Sequence, residues 1–441
     1  MKINRLIVEL LLVIAVITSI VLSFFIWTNT ARYQRGRNID VTTAESSKNE
    51  IPMNQVISPT SVIWHDETDQ NLIYNSNENI SLSIQKIMGD WKIGTPKLVS
   101  KKDGAYYQKI IQGKNMLQLA YPTSITVNSF GYLLNNNSLK DSKTNYLNHN
   151  FNRILFNLKD KKDTNIYLAN DSNYAVYKAK VRNASAIPIA NLVKKANIHL
   201  KIKLDIMKHG VFVSYVDPIK LKSYSYVISG KEDGEYTTTL FDSNTNGLVT
   251  SENNGVYTYN YGESKRLVSD HNTDELIFDD YTDTAVPKTQ LGFLQRGYQK
   301  VVNLQNSISN LRLYDANWDD KSLVFREYVE GFPIFKKSQF GSIQVKFSRK
   351  GSTEHFLNKV LEVPVPSNQA ATKLKSTNSI FKGLQRAGYS PNDVQDIEVG
   401  YEWESETDNE KVVDLKPTYY IKIGGHWKSY NEWTNESAEE D

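Results

Sequence analysis

Cysteine is absent from the 441-residue chain, and several kinds of protein are excluded with it. Without cysteine there is no disulfide framework, no thiolate metal site, no cysteine nucleophile and no lipid-modified N-terminal cysteine. Its absence suits an extracytoplasmic bacterial protein. The chain also has no large excess of positive or negative charge, since it contains 52 Lys and Arg residues and 49 Asp and Glu residues. This balance argues against a nucleic-acid-binding protein, which normally carries a strong basic excess.

Sequence motifs for phosphate, ester or peptide chemistry are missing or incomplete. The stretch 89–94 has the glycine spacing of a Walker A loop, but residues 95–96 are Thr-Pro where Lys and Ser or Thr are needed. Neither G-x-S-x-G nor H-E-x-x-H occurs. The stretch 242–247 (DSNTNG) matches half of a calcium loop, but Asn253 stands where a carboxylate should close it, so a hairpin turn is favoured. We predict no metal, no cofactor and no enzymatic activity.

One histidine is flanked by residues that suggest chemistry, the His65 of Trp64-His65-Asp66. It follows an extended run, and neighbouring side chains on a strand point to opposite faces, so His65 and Asp66 cannot form a dyad directly. We predict a structural or interface role, with Trp64 and His65 as a possible extracytoplasmic contact. The acidic pairs 274–275 and 279–280 are interpreted as solvated strand ends rather than an acid/base pair.

Tyrosine is abundant, with 26 residues against only 12 prolines, and it often alternates with polar residues. This pattern is more typical of sheets than of helices. The clearest case is Tyr257, Tyr259 and Tyr261, which lie on one face of a predicted strand. Packing within the sheet is the favoured explanation for this ladder, and a docking surface is the alternative.

A long apolar run occupies residues 6–27 (LIVELLLVIAVITSIVLSFFIW). At about 1.5 Å per helical residue it spans a hydrocarbon core of about 30 Å. A secretory signal has a shorter apolar part and a small-residue cleavage site, whereas this run ends in bulky aromatic residues. An uncleaved transmembrane helix is therefore favoured over a removed signal. Basic residues flank both ends, so the charge count leaves the orientation open.

Small residues form one stripe on this predicted helix, because Ala15, Ser19 and Ser23 recur every four positions. Such stripes let helix backbones pack closely within lipid, although small residues are also common there by chance. Glu9 lies near the N-terminal end, where it can reach the headgroups or pair with a partner helix. We predict a partner contact within the membrane through Ala15, Ser19, Ser23 and Glu9.

The remaining chain reads as an α+β protein rich in antiparallel sheet. We predict a juxtamembrane linker over 28–55 and an acidic tail over 436–441. Three α+β domains are predicted between them. Their bounds are 56–165, 166–285 and 286–435.

Local patterns predict individual elements. Strand pairs are predicted within 105–121, around a turn at 112–115, and within 198–216 and 255–278. A three-stranded meander is predicted over 322–348, with its first turn at Glu330-Gly331. Helices are predicted over 80–88, over 368–387 before Gly388, and just before Gly297. The last two share the near-repeat LQR(A)GY, which favours repeated use of one helix-ending signal over a duplication.

Three stretches together resemble one family. They are the end of the apolar run, FFIWTNTARY, the VIWH strand after the linker, and VFREYVEGFPIF followed by GSIQV. The chain resembles YycH (WalH) proteins, membrane-anchored regulators encoded beside the WalK–WalR (YycG–YycF) two-component system of low-GC Gram-positive bacteria. The resemblance covers nearly the whole chain, and the run at 325–335 is its most specific part.

This resemblance implies a cytoplasmic N-terminus at 1–5 and a large part between membrane and cell wall. It also implies that the last two domains, including the C-terminal one, are similar to the companion protein YycI. It implies partnership with a YycI-like protein and a WalK-type sensor histidine kinase, largely through membrane helices, and so control of cell-wall metabolism genes. It carries no catalytic residues. The alternatives are a membrane-anchored wall hydrolase or carbohydrate-binding protein, and an assembly scaffold without signalling effect.

Overall fold

The computed structural model describes most of the chain beyond the linker. The described residues are 12, 19, 51–75, 78–136, 139, 148–160, 164–182, 184–241, 247–304, 310–335, 341–365, 370–405 and 411–436. The predicted span 6–27 lies outside them except for Leu12 and Ser19, which are helical and exposed. Among the described residues, no helix is long and apolar enough to cross a bilayer. Glu50–Ser76 and Ile80–Asp441 form one compact unit, to which the following description applies.

The first sheet contains ten strands, all paired antiparallel. Their bounds are β1 Ser61–His65, β2 Gln70–Tyr74, β3 Lys92–Ile93, β4 Lys97–Ser100, β5 Met116–Thr126, β6 Asn150–Asn157, β7 Thr164–Ala169, β8 Val176–Arg182, β9 Ile198–Met207 and β10 Gly210–Tyr215. The spatial order is β10-β9-β2-β1-β5-β6-β7-β8-β3, and β4 also pairs with β8. Because successive strand residues face opposite sides, Val62 packs with Leu119 into one apolar cluster and Ile63 with Leu72 into another.

The second sheet contains fourteen strands. Their bounds are β12 Tyr224–Ser229, β13 Leu248–Asn253, β14 Val256–Tyr261, β15 Lys265–Asp270, β16 Glu275–Asp280, β17 Leu311–Asn317, β18 Ser322–Val329, β19 Phe332–Phe335, β20 Ile343–Ser348, β21 Gly351–Leu357, β22 Val360–Val365, β24 Val394–Ser405, β25 Val412–Ile423 and β26 His426–Ser429. The order is β13-β14-β15-β16-β21-β20-β18-β19-β24-β25-β12-β22, with β17 on β18 and β26 on β25. One described pair in it, β19 with β24, is parallel. The short strands β11 Ile219–Leu221 and β23 Thr372–Leu374 pair separately.

Helices cover both sheets. Their bounds are α1 Met53–Val56, α2 Ile80–Gly89, α3 Gly104–Ile111, α4 Val127–Leu133, α5 Ile187–Lys195, α6 Asp233–Leu240, α7 Gln290–Asn303, α8 Thr377–Arg386 and α9 Tyr430–Glu436. On α2, the residues Ile80, Ile84 and Met88 recur every four positions and are buried, as the predicted helix requires. The α+β class with extensive antiparallel sheet is confirmed.

The two sheets contact each other through β5 with β17 and through β10 with β24. Hydrogen bonds cross this junction. Ala316 N donates to Thr123 Oγ1 at 3.3 Å, and Tyr215 N donates to Thr377 Oγ1 at 2.9 Å. The predicted boundary at 165–166 falls within β7. The division into three domains stays a prediction.

The predicted strand pair over 105–121 is wrong in its first half. The stretch begins with α3, and only Met116 onward is a strand. Asp103 starts the helix, since its side chain accepts a hydrogen bond from Tyr106 N at 3.0 Å. Tyr107 and Ile111 are both buried and lie four positions apart, a helical spacing that the alternation of apolar and polar residues concealed.

Gly297 does not end a helix, because α7 continues to Asn303. A Cβ at this position would overlap Leu323 Cδ1, so the glycine allows α7 to approach β18 closely. Gly388, with φ +88°, does end its helix as predicted. That helix is shorter than predicted, since 372–374 form β23 before α8 begins. The near-repeat LQR(A)GY therefore lies inside one helix, α7, and at the end of another, α8.

The strand predictions further along the chain are largely confirmed. β9 and β10 occupy most of 198–216. β14 lies within 255–278 and β16 begins there, while β15 between them was missed. β18, β19 and β20 occupy 322–348. They do not form a consecutive meander, because β20 pairs with β18 rather than with β19. The turn is confirmed, since Glu330 (φ +50°) and Gly331 (φ +83°) join Val329 to Phe332 as a tight hairpin requires.

Candidate functional site

The predicted membrane contact is almost entirely beyond the described part of the chain. Ser19 is helical and exposed. Ala15, Ser23 and Glu9 lie outside the described residues, and so do positions 242–246 of the calcium-like stretch. In the described ranges, no group of three or more His, Asp or Glu residues is arranged to hold a metal ion.

Trp64 and His65 end β1, an inner strand that pairs with β2 on one side and β5 on the other. Both side chains are half-buried, and Trp64 packs against an apolar cluster of the first sheet. Asp66 lies in the following turn, where its Oδ1 accepts hydrogen bonds from Thr68 N at 2.7 Å and Asp69 N at 2.8 Å. These bonds hold the pKa of Asp66 below its usual value. The side chain of Asp66 therefore stabilises this turn and does not orient the ring of His65.

The tyrosine ladder on β14 packs against α6 and the next strand. Tyr259 donates a hydrogen bond to Asp233 Oδ2 at 2.9 Å, and the ring of Tyr261 stacks with Phe241 at 6.2 Å. Asp233 also accepts a hydrogen bond from Ser269 at 2.7 Å. The interpretation of the ladder as packing is confirmed for these two tyrosines.

A pocket of about 310 Å³ lies where the C-terminal ends of α6 and α7 meet the second sheet. Its floor is one face of three adjacent strands. The register sets Lys265 opposite Asp280 and Phe278 opposite Glu354, so these four side chains share that face. Thr239 and Leu240 from α6, and Lys300 and Asn303 from α7, complete the walls. The volume is at the lower end of the range for small-molecule sites, roughly 300–1,000 Å³.

Lys300 is the centre of the charge arrangement in this pocket. Its Nζ lies 3.1 Å from Glu354 Oε1, 3.1 Å from Asp283 Oδ2 and 3.8 Å from Asp280 Oδ2. Burial favours the neutral amine, but Glu354 and Asp283 outweigh it and raise the pKa of Lys300. Asp280 was predicted to be a solvated strand end. This is wrong, because its side chain is only 14% exposed beneath α7.

Glu354 is the most enclosed group in the pocket wall, with 1% of its surface exposed. Burial raises the pKa of this carboxyl to about 7, although Lys300 acts in the opposite direction. Its Oε1 lies within ion-pair distance of Lys300 but makes no hydrogen bond of acceptable geometry. Sequence reasoning missed this residue. The available signal was a glutamate two positions before Phe356, which places both side chains on one face of a central strand.

The run at 325–335 lies in the interior of the second sheet rather than on a surface. Arg326 is 2% exposed, and its guanidinium carbon lies 4.6 Å from the ring centre of Tyr314 and 4.3 Å from that of Phe335. Tyr314 also donates a hydrogen bond to Glu398 Oε2 at 3.0 Å. Burial and the neighbouring Asp396 raise the pKa of Glu398, which keeps part of its surface exposed. The run thus supplies a buried charge, Arg326, and one of the two rings that contact it, Phe335.

Comparison with known proteins agrees with this architecture. Residues 6–197 match the N-terminal domain of the YycH protein family, and residues 208–436 match its C-terminal domain. A crystal structure of YycH from Bacillus subtilis is similar in fold, with a TM-score of 0.70 and 15% identity over 87% of this chain and 98% of that one. Comparison with curated protein sequences found no match.

The fold is that of a mixed α+β protein with two large, mainly antiparallel sheets, and a solved bacterial protein has a similar fold. The chain belongs to the YycH family, because the two family domains together match most of its length. The resemblance inferred from the sequence is thereby confirmed. Membership supports a regulatory role in the WalK pathway.

Proposed function

We propose that this protein is a non-enzymatic regulator of a WalK-type sensor histidine kinase and thereby adjusts the expression of cell-wall metabolism genes. The match to both YycH domains, over 6–197 and 208–436, is the observation that carries this proposal. Both domains of the family are matched, so this support extends over most of the chain rather than over one part of it.

The proposed topology follows from the apolar run. Residues 6–27 span the membrane once, residues 1–5 lie in the cytoplasm, and the two sheets lie outside the cell. A long domain is translocated regardless of the charges near its anchor, so Arg32, Arg35 and Arg37 do not oppose this orientation. A YycI-like companion protein is the second proposed partner.

The proposed kinase contact lies within the membrane, on Ala15, Ser19 and Ser23, with Glu9 near the cytoplasmic end. Lipid is as apolar as leucine, so bulk hydrophobicity does not select a partner helix there. Close packing and hydroxyl hydrogen bonds do, at roughly 0.6–2 kcal/mol for each polar contact. Trp64 and His65 are proposed as a smaller contact outside the membrane.

Co-purification from membranes tests the proposal directly. Full-length tagged chain is expressed in cells with the kinase, and the kinase recovered with it is measured by immunoblot. We expect Ser19→Leu to reduce recovery severalfold and to change wall-hydrolase gene expression, because leucine fills the groove that a partner helix enters. Val16→Leu adds comparable bulk on another side of the helix and should change neither.

Equal membrane levels of the two variants are required for this comparison. If the parent chain recovers no kinase, the regulatory proposal is wrong. If the parent and both variants recover the kinase equally, the regulatory proposal is retained. The contact then lies elsewhere than on the Ser19 face.

A further inference from the structure

The pocket between α6, α7 and the second sheet contains a buried acceptor without a donor. Glu354 Oε1 has no hydrogen bond of acceptable geometry, although the residue is 1% exposed and lines the pocket. A buried carboxylate oxygen is costly to leave without a hydrogen-bond donor. Lys300 compensates its charge at 3.1 Å but not its hydrogen-bonding capacity. A hydroxyl group placed in the pocket would supply the missing donor.

The charges of the wall exclude most other ligand classes. An anion would meet Asp280 and Glu354, while Lys300 is already held by carboxylates and Lys265 Nζ donates to Leu240 O at 3.0 Å. A cation would have to displace the ammonium of Lys300 from between those carboxylates. An apolar ligand would remove water from these charged groups without supplying a hydrogen bond to any of them. A neutral ligand with several hydroxyl groups has none of these costs.

The remaining wall fits such a ligand as well. Phe278 and Leu240 provide an apolar surface, and Asn303 and Thr239 provide an amide and a hydroxyl that both donate and accept hydrogen bonds. A sugar ring combines an apolar C–H face with a rim of hydroxyl groups. We propose that this pocket binds a neutral saccharide unit, with Glu354 and Asp280 accepting hydrogen bonds from its hydroxyl groups. The site stands whether or not the chain regulates a kinase.

Ligand-observed NMR on the full-length chain tests this proposal. The protein is kept in a detergent whose headgroup is not a sugar, and the probes are N-acetylglucosamine, glucose, 1,4-diaminobutane and inorganic phosphate. We expect saturation transfer to at least one sugar and none to the diamine or phosphate. Thr239→Leu should weaken sugar binding at least about tenfold, because it narrows the pocket and removes a hydroxyl.

Thr238→Leu is the matched control for Thr239→Leu. Thr238 is the preceding residue of α6, is exposed, and donates its hydroxyl to Gly234 O within its own helix at 2.7 Å. It should leave sugar binding within about twofold of the parent. Glu354→Gln provides a second variant that keeps the shape of the side chain, and it should weaken binding through loss of the charged acceptor.

Three outcomes overturn the proposal. Binding of the diamine or phosphate in place of a sugar would show that the wall is not neutral overall. Equal sugar binding by the parent and Thr239→Leu would place the sugar elsewhere. No binding by any probe, with the parent folded by circular dichroism, would mean that the pocket holds only water.

Discussion

Each sheet contains a buried arginine, and the two are stabilised differently. In the first sheet, Arg153 is 4% exposed and its Nε donates to Asp171 Oδ1 at 2.7 Å, while Tyr107 also donates to that carboxylate. In the second sheet, Arg326 is 2% exposed and its guanidinium contacts the rings of Tyr314 and Phe335. The first is a closed ion pair with a hydrogen bond. The second depends mainly on ring faces.

The two sheets also differ in how burial acts on their titratable groups. Burial alone would lower the pKa of Arg153, but Asp171 and Tyr107 outweigh it and raise the pKa. In the second sheet, burial dominates instead and raises the pKa of Glu398 and Glu354. The first sheet thus keeps its buried charges paired, whereas the second contains carboxyl groups near their titration point. The second sheet is where pH and ligands are expected to act.

Breaking the closed pair should give the largest effect. Asp171→Ala leaves Arg153 buried without its carboxylate, and we expect the free energy of unfolding to fall by about 3–5 kcal/mol. Urea denaturation at pH 7 measures it. The exposed pair of Glu67 with Lys159, joined at 2.6 Å, is the control, and Glu67→Gln should cause no measurable loss. If Asp171→Ala and Glu67→Gln lower the free energy of unfolding by similar amounts, the buried pair is not the stronger of the two.

The pH dependence of stability should distinguish the second sheet. Glu354 has a pKa of about 7 when folded and 4.5 when unfolded, so the folded state binds more protons between these values. Its contribution to stability is therefore fully present below pH 4.5 and is lost as the pH rises to 7, on the order of 3 kcal/mol.

Glu354→Gln removes this titration. We expect the stability of the parent, relative to the variant, to decline across pH 4.5–7 in denaturation series at fixed ionic strength. Glu362→Gln, a strand-edge glutamate that accepts a hydrogen bond from Ser229 at 2.6 Å and is exposed, should keep the decline of the parent. If the stabilities of the parent and Glu354→Gln change in parallel with pH, the pKa of Glu354 is not raised in the folded state.

A smaller effect is expected where α7 approaches β18. Gly297 precedes Lys300 by three residues, so both lie on the same side of the helix. Gly297→Ala forces a Cβ against Leu323, and we expect a loss of about 1–3 kcal/mol and a weaker contact of Lys300 with Glu354. Thermal unfolding measures the loss.

Gly234→Ala is the matched control for this change. It lies in α6, where a Cβ would meet nothing within 4 Å, so alanine should stabilise the protein by up to about 1 kcal/mol. If Gly297→Ala is also stabilising, the close approach of α7 is not what the glycine provides.

Several features could be predicted from the sequence because they depend on local order along the chain. The α+β class, the end of α8 before Gly388 and the turn at Glu330-Gly331 follow from apolar spacing and from glycines with positive φ. The absence of cysteine and the balanced charge excluded classes of chemistry without any structure. The stretch 105–111 was mistaken for a strand, because burial of Tyr107 and Ile111 is set by a sheet elsewhere in the chain.

The pairing of distant residues was decided by the tertiary structure alone. Lys300 reaches Glu354 because α7 packs on the second sheet, and Gly297 permits that approach through a contact with Leu323 that no sequence pattern indicates. Arg153 and Arg326 look alike in the sequence, yet one meets a carboxylate and the other two rings. Periodicity records which face of an element is apolar, whereas strand order and helix crossing determine which charges share a buried space.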